Sequence, residues 1–345
     1  MRALVSRLDN DGDVLLAGPA IRAVAAGCDG VTLLCGPRGV QAAALLPGVD
    51  DVIVRRAEWI DPEPPPVERA AIDAYVDAIA AVGADAGVIL TSFHQSPLPT
   101  ALLMRMAGVP RIAAVSEDYP GSLLDVRVRD PGDVHEAQRA LLVAESLGFA
   151  LPQDDDGALR VTAGSRSAAS GLALPERYVV VHPGASVPAR AWSPQRNREL
   201  VDALAAAGRD VVVTGAPGER ALTAAVAGPP REGVSDLGGA TTLAQLAGVL
   251  AGADAVVVGN TGPAHLAAAV GTAVVSLFAP TVAPARWRPW AVAHELLFVD
   301  VPCAGCRARE CPVAGHPCLG GVTVEDVVQA VDCIAGAGRT EAVAA

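Results

Sequence analysis

The sequence predicts an α/β fold with two Rossmann-like parallel-sheet domains that face a cleft. Its length of 345 residues suits two domains better than one. Hydrophobic residues make up 51% of the chain but aromatic residues only 3%, so Val, Leu, Ile and Ala must fill the cores. That mixture is typical of buried parallel strands covered by helices. Short apolar runs also alternate with helical patterns along the chain, which indicates βα units.

In the first half, each predicted strand is a short apolar run, and the predicted helices have amphipathic spacing. We predict strands at Ala3–Ser6, Val31–Cys35, Asp51–Val54, Gly87–Leu90 and Arg111–Ala114, and helices at Val14–Ala26, Val67–Val82 and Thr100–Met106. These elements define a predicted N-terminal domain over residues 1–160.

Between Leu151 and Leu174 the sequence loses its hydrophobic periodicity and becomes rich in Asp, Gly, Ser and Ala, which predicts an interdomain linker. A second alternating series then defines a predicted C-terminal domain over residues 175–345. We predict its strands at Tyr178–Val181, Asp210–Thr214, Ala255–Val258 and Ala273–Leu277, and its helices at Gln195–Ala207, Glu219–Val226, Thr242–Leu250, Pro263–Ala269 and Val324–Ile334. A cleft between two such halves commonly binds a small ligand.

The charge of the chain excludes several classes of function. A net charge of −12 argues against a nucleic-acid partner, because phosphate backbones bind basic surfaces. All 26 basic side chains are arginines. A Walker A phosphate loop, a pyridoxal phosphate enzyme and a Schiff-base aldolase each need a lysine, so all three are excluded. An anion site must therefore use arginine, backbone N–H groups or helix N-termini.

The sequence predicts a cytoplasmic protein. No secretory signal follows Met1, and the most apolar region, Leu250–Pro280, is interrupted by Asp254, Asn260 and His265, which excludes a bilayer span there. Seven cysteines, an odd number, indicate a reducing compartment rather than a disulfide scaffold. A peripheral contact with the inner face of the membrane is compatible with these observations.

The segment Asp9–Asp13 directly follows the first predicted strand. It lacks the glycine and glutamate that an EF-hand loop requires at fixed positions, so calcium is excluded. Asp13 has two interpretations. It caps the following helix, or it faces the cleft at the carboxyl end of a strand, where a carboxylate can act as a general base.

Two further turns are candidates for binding an anion. His182–Ser186 follows a predicted strand and leads to Arg190, which either clamps an anionic ligand or is an ordinary solvated loop residue. Asn260–Gly262 lies between a buried strand and a helix that begins near Pro263, so its backbone N–H groups can bind an anion. His265, in the first turn of that helix, faces either the ligand or the core.

Four cysteines lie within sixteen residues, with His316 among them, in a segment rich in Gly and Pro. They are Cys303, Cys306, Cys311 and Cys318. Such a set can bind structural zinc or an iron–sulfur cluster. Because the spacing matches neither the common zinc ribbon nor a ferredoxin, free or disulfide-linked thiols are the alternative.

In this order, the motifs resemble glycosyltransferase family 9, which contains the ADP-heptose:lipopolysaccharide heptosyltransferases. The resemblance rests on Arg7–Asn10 with Gly12–Leu16, on His182–Ala185 and on Thr261–Ala267, and it extends from about Met1 to Val331. It implies a GT-B architecture with an N-terminal acceptor-binding domain and a C-terminal donor-binding domain. It also implies an inverting, metal-independent transfer of a sugar from a nucleotide diphosphate sugar to a hydroxyl group, with no cofactor required for catalysis.

The resemblance also implies roles for individual residues. Asp13 matches the general base of the family. The donor-binding residues are Arg190, where the family typically has a lysine, and Glu219, Asn260, Thr261, Gly262 and His265. Many members have Asp in place of Asn260, so a contact to the sugar is expected to differ. Thr91–Ser96 is unlike the enzymes that act on lipopolysaccharide, so the acceptor is left as a glycan or glycolipid.

Other functions stay open from the residues alone. A nucleotide-sugar epimerase or hydrolase would consume the donor without an acceptor. A non-catalytic nucleotide-sugar-binding protein would bind the donor without turnover. An iron–sulfur redox protein built on the cysteine segment would absorb visible light.

Overall fold

The computed structural model describes residues 1–342, without the side chains of residues 165, 166 and 336–342. Its contacts divide the chain into two compact units, Met1–Arg160 and a second unit that begins at Val161. Each unit holds one six-stranded parallel sheet with helices, which confirms the predicted α/β class. Within residues 1–342, no helix is both long and apolar enough to span a bilayer.

The strands of the first unit are β1 (Arg2–Arg7), β2 (Gly30–Cys35), β3 (Asp51–Val54), β4 (Ala86–Ile89), β5 (Arg111–Val115) and β6 (Val126–Val128). Its helices are α1 (Asp11–Leu16), α2 (Gly18–Ala26), α3 (Val40–Ala43), α4 (Arg69–Ala80), α5 (Leu98–Met106) and α6 (Glu136–Ser146). The sheet has the order β3-β2-β1-β4-β5-β6. β4 is buried along its whole length and β1 along all but its first residue, as expected for central strands of a parallel sheet.

The strands of the second unit are β7 (Val179–His182), β8 (Val211–Val213), β9 (Val234–Asp236), β10 (Ala255–Gly259), β11 (Val274–Leu277) and β12 (His294–Leu297). Its helices are α7 (Ala163–Arg166), α8 (Pro194–Ala206), α9 (Arg220–Ala227), α10 (Leu243–Ala251), α11 (Gly262–Val270), α12 (Pro284–Trp287), α13 (Pro317–Gly320) and α14 (Val324–Ala342), with 3-10 turns at Pro188–Arg190 and Pro217–Glu219. The sheet has the order β12-β11-β10-β7-β8-β9.

The two sheets share one topology. In the first, β1 lies between β2 and β4, and in the second, β7 lies between β8 and β10. At these positions the strand order changes direction, which creates a switch point in each sheet. Ligands of open α/β sheets bind outside the carboxyl ends of the strands at such a point. A ligand site is therefore expected at the segments that follow β1 and β4, and at those that follow β7 and β10.

The structure differs from the sequence prediction at several elements. The helix predicted at Val14–Ala26 is two helices, α1 and α2, because Pro19 has no backbone N–H with which to continue the first. The predicted linker contains α7. The last helix, predicted to end at Ile334, continues to Ala342, and residues 343–345 lie outside the described part of the chain. The prediction also missed the strands β6, β9 and β12 and the helices α3, α6, α12 and α13.

Candidate functional site

In the first unit, the segments that follow β1 and β4 meet at the switch point. Arg7, the last residue of β1, donates from Nη2 to Ser92 Oγ at 2.8 Å. Gln95 Nε2 donates to Asp9 Oδ1, and Gln95 Oε1 accepts the backbone N–H of Ser92 at 3.0 Å. These contacts join two segments that are more than eighty residues apart in sequence.

Asp13 is the third residue of α1, and the helix is capped by Asn10. The interpretation of Asp13 as the N-cap is therefore wrong. Its Oδ2 accepts the backbone N–H of Asn10 at 3.4 Å, as in a capping box. Its Oδ1 lies 3.0 Å from Arg7 Nη2, and its side chain is 15% exposed. Asp13 thus retains contact with solvent at the edge of the sheet where a ligand is expected.

Arg7 is the centre of a cluster of carboxylates. It is 2% exposed, and its Nε lies 3.0 Å from Asp9 Oδ2, while Nη1 lies 3.9 Å from Glu136 Oε2 in α6. Burial alone would lower the pKa of Arg7, but Asp9, Asp13 and Glu136 outweigh this effect and raise it. Burial raises the pKa of Asp9, and the attraction of Arg7 opposes that shift. The guanidinium therefore remains charged inside the unit.

In the second unit, a histidine links the segments that follow β7 and β8. His182 Nδ1 lies 2.9 Å from Oγ1 of Thr214, and its Nε2 lies 4.0 Å from Oε2 of Glu219. Burial lowers the pKa of His182 to about 4, although the Glu219 carboxylate opposes the shift. The ring is therefore neutral at neutral pH, with one nitrogen as donor and the other as acceptor.

Glu219 ends the 3-10 turn that precedes α9. Its Oε2 accepts the backbone N–H of Ala216 at 2.7 Å, and its side chain is 25% exposed. The carboxylate lies against Gly184, where a β-carbon would overlap with it. The residue after Pro183 must therefore be glycine for Glu219 to occupy this position.

Arg190 lies in the 3-10 turn between β7 and α8 and is partly buried. Its backbone passes close to the end of β10, because a β-carbon at Gly259 would lie only 2.7 Å from the carbonyl oxygen of Arg190. The glycine thus allows the segment after β7 to approach the switch point of the second sheet.

The turn after β10 is fixed by the side chain of Asn260. This side chain is buried, its amide nitrogen donates to the carbonyl of Ala279 at 3.2 Å, and its oxygen accepts the Ala279 N–H at 3.2 Å. Thr261 is then the N-cap of α11, which begins at Gly262 rather than at Pro263. The N-terminus of α11 therefore lies at the carboxyl end of β10, where its backbone dipoles favour an anion.

His265 lies in the first turn of α11 and is 4% exposed. The centroid of its ring is 6.4 Å from that of Trp287. Of the two interpretations of this residue, its burial beside Trp287 favours packing in the core.

The four cysteines of the cysteine segment, residues 303–318, line one cavity together with His316. All four are free thiols, so the disulfide alternative is not seen. Burial, with Cys311 and Cys303 nearby, raises the pKa of the Cys318 thiol. This donor set suits zinc or iron chemically. Among the residues whose side chains are described, however, no three His, Cys, Asp or Glu side chains are arranged to hold a metal ion.

Backbone hydrogen bonds connect the cysteine segment to the turns at the second switch point. The N–H groups of Ala189, Gly305 and Arg307 donate to the carbonyls of Arg309, Pro280 and Thr281, at 2.9, 2.7 and 2.9 Å. The segment therefore supports both the turn that carries Arg190 and the stretch after β11 that holds Asn260.

Sequence reasoning assigned no role to several residues of these clusters. Arg7 and His182 belong to predicted motifs, and each ends a strand at a switch point, a position that could have indicated its role. Ser92 lies in Thr91–Ser96, which was interpreted only as evidence about the acceptor. Glu136 carried no sequence signal, because its helix was not predicted.

Comparison with known proteins identifies the family. The model of glycosyltransferase family 9 (heptosyltransferase) matches residues 84–316, which is more than half of the chain. The chain belongs to this family. The matched region contains the turns that follow β7, β8 and β10, whereas Asp13 and Arg7 precede it.

Individual relatives agree with the family assignment. Lipopolysaccharide heptosyltransferase 3 of Escherichia coli is 28% identical over 195 residues, which are 49% of this chain and 57% of that protein. The curated relatives are matched over only 30% to 57% of their own length.

Two solved structures from Escherichia coli resemble almost the whole chain. ADP-heptose LPS heptosyltransferase II has a TM-score of 0.75 at 20% identity, covering 98% of this chain and 100% of that one. Heptosyltransferase WaaC, solved with ADP-2-deoxy-2-fluoro heptose, has a TM-score of 0.71 at 22% identity, covering 96% and 99%. These likenesses confirm the GT-B fold class that the resemblance implied.

Proposed function

We propose that this member of family 9 is an inverting glycosyltransferase that moves a heptose from an ADP-activated donor to a hydroxyl group of a glycan or glycolipid. The observation that carries the proposal is the position of Asp13. Its carboxylate is partly exposed at the carboxyl edge of β1 and is held there by Arg7. A carboxylate with a fixed orientation and access to solvent suits a general base.

The second unit supplies the donor site in this proposal. The leaving diphosphate gains negative charge in the transition state, so cations and helix N-termini stabilise it more there than in the ground state. Arg190 and the start of α11 at Thr261 and Gly262 provide these groups. Glu219, partly exposed beside Gly184, contacts the nucleoside.

Two of the predicted donor residues act indirectly. Asn260 uses both ends of its amide to fix the stretch around Ala279, so its contribution is to shape the turn that receives the diphosphate. His265 is buried beside Trp287 and anchors the first turn of α11 in the core.

The chemical step is a single displacement. Asp13 removes the proton of the acceptor hydroxyl as its oxygen attacks the anomeric carbon, and the bond to the diphosphate breaks on the opposite face. The configuration at the anomeric carbon is therefore inverted. Because Arg190 and the helix N-terminus neutralise the leaving group, we propose that the step needs no metal ion.

A structural metal in the cysteine segment is a separate proposal. Four thiols around one cavity are suited to zinc or an iron–sulfur cluster, provided that they close on the metal. Such a centre would stabilise the segment that supports the Arg190 turn, and no step of the transfer passes through it.

We propose that the reaction takes place in the cytoplasm, with a peripheral contact of the protein at the inner face of the membrane.

The direct test incubates the purified protein with ADP-heptose, with and without lipopolysaccharide that lacks its outer sugars. We expect ADP release and sugar incorporation only when the acceptor is present, with inversion at the anomeric carbon. ADP release without acceptor would favour a hydrolase, and an isomerised donor would favour an epimerase. Binding without turnover on any acceptor would favour a nucleotide-sugar-binding protein.

A further inference from the structure

One buried guanidinium faces three carboxylates in the first unit. The nitrogens of Arg7 lie 3.0 Å from Asp9, 3.0 Å from Asp13 and 3.9 Å from Glu136. Asp9 and Glu136 are buried, whereas the Asp13 side chain is 15% exposed. A buried arginine is costly unless it is paired, and two buried carboxylates already pair with this one. Its contact with the partly exposed Asp13 therefore calls for a functional explanation.

The contacts of Arg7 fix the direction of its guanidinium. Nη2 donates to Ser92 Oγ at 2.8 Å and to Asp13 Oδ1 at 3.0 Å. The second oxygen of Asp13 accepts the N–H of Asn10 at 3.4 Å, so both oxygens of the carboxylate have a donor. We propose that Arg7 is a positioning residue, which aims the Asp13 carboxylate at the acceptor hydroxyl, while Asp9 and Glu136 hold Arg7 in place. This inference rests on the proposed function, in which Asp13 is the base.

The test measures kcat and KM for donor and acceptor in the wild type, Arg7→Gln, Asp13→Asn and the double variant. If Arg7 acts through Asp13, Arg7→Gln should lower kcat in the wild type and lower it little further in Asp13→Asn. We expect the KM for the donor to change little, because the donor residues belong to the second unit. Arg7→Lys keeps the positive charge but loses the planar guanidinium, so its kcat should recover only in part.

A matched control separates this role from simple stabilisation. Arg22 is also buried in the first unit, with its Nε 2.6 Å from Asp155 Oδ2, away from the Asp13 cluster. Arg22→Gln should lower the melting temperature and leave kcat near normal. Should Arg7→Gln fail to fold, Ser92→Ala carries the test, because it removes a contact that orients Nη2 and should lower kcat only when Asp13 is present.

Two results have different meanings. A folded Arg7→Gln variant, or Ser92→Ala in its place, that lowers kcat as much in Asp13→Asn as in the wild type would overturn the inference, even if the stability fell. Near-normal transfer by Asp13→Asn would instead refute the proposed base, so failure of the inference and failure of the proposed function are distinguishable.

Discussion

The carboxylate of Glu219 lies against the backbone of Gly184, in the space that a β-carbon at Gly184 would need. This contact joins the turn after β7 to the 3-10 turn before α9. The ring of His182 faces the same carboxylate, with its Nε2 4.0 Å from Glu219 Oε2. Because the two turns share these contacts, Glu219 is fixed at the edge of the second sheet instead of extending freely into solvent.

The proposed donor site predicts a loss of affinity in Arg190→Ala. Removing a charge-assisted hydrogen bond to the diphosphate should cost about 1.5–3 kcal/mol, or roughly 10- to 100-fold in Kd. Isothermal titration with ADP measures this directly. Arg177→Ala is the matched control, because Arg177 pairs with Asp254 just before β7 and β10, at the amino edge of the same sheet. Equal Kd values for both variants and the wild type would place the phosphates elsewhere.

The buried ring of His182 predicts a pH dependence of stability. Its pKa is about 4 in the folded chain against 6.5 unfolded, so the unfolded state binds more protons between these values. The free energy of unfolding should therefore fall as the pH drops from 6.5 towards 4, by at most about 1.4 kcal/mol per pH unit from this group. Urea unfolding at pH 6.5 and pH 5 should show a smaller difference in His182→Asn than in the wild type. An unchanged difference would show that His182 does not set this slope.

The cysteine segment predicts a bound metal in protein purified without chelator. Elemental analysis should find close to one zinc per chain, or iron with visible absorbance if a cluster is bound. Cys303→Ser together with Cys306→Ser should remove it, whereas Cys333→Ser, at an exposed position outside the segment, should not. If the wild-type protein contains no metal, the proposed metal site is wrong and the four cysteines of the segment line the cavity as free thiols.

The central strands were predictable because they are buried. The central strands β1, β4, β7 and β10 are short and almost entirely buried, and they are visible in the sequence as short apolar runs. The missed strands β6, β9 and β12 lie at or next to the ends of the sheets, span three or four residues and have no fully buried run. The missed helix α6 buries Glu136 and Arg139, and these charged residues interrupt its apolar periodicity.

The candidate sites were predictable as local motifs and not as clusters. Asp13, Arg190 and the Thr261–His265 turn each follow a strand, which a reader of the sequence can recognise. The partners that fix them come from distant segments, as Ser92 and Glu136 do for Arg7. The side chain of Asn260 could not be interpreted either, because its partner, Ala279, is 19 residues away.

The most direct test of the proposal that Asp13 is the general base is the turnover of Asp13→Asn. The amide keeps the size of the side chain but cannot accept a proton at neutral pH. Asp11→Asn is the control, because Asp11 lies in the same helical turn and its carboxylate accepts the N–H of Ala42 at 2.9 Å, away from Arg7. If Asp13 is the base, transfer should fall by roughly 10²–10⁴-fold in Asp13→Asn and stay near normal in Asp11→Asn, with ADP affinity unchanged in both. Near-normal transfer by folded Asp13→Asn would contradict the assignment of Asp13 as the general base.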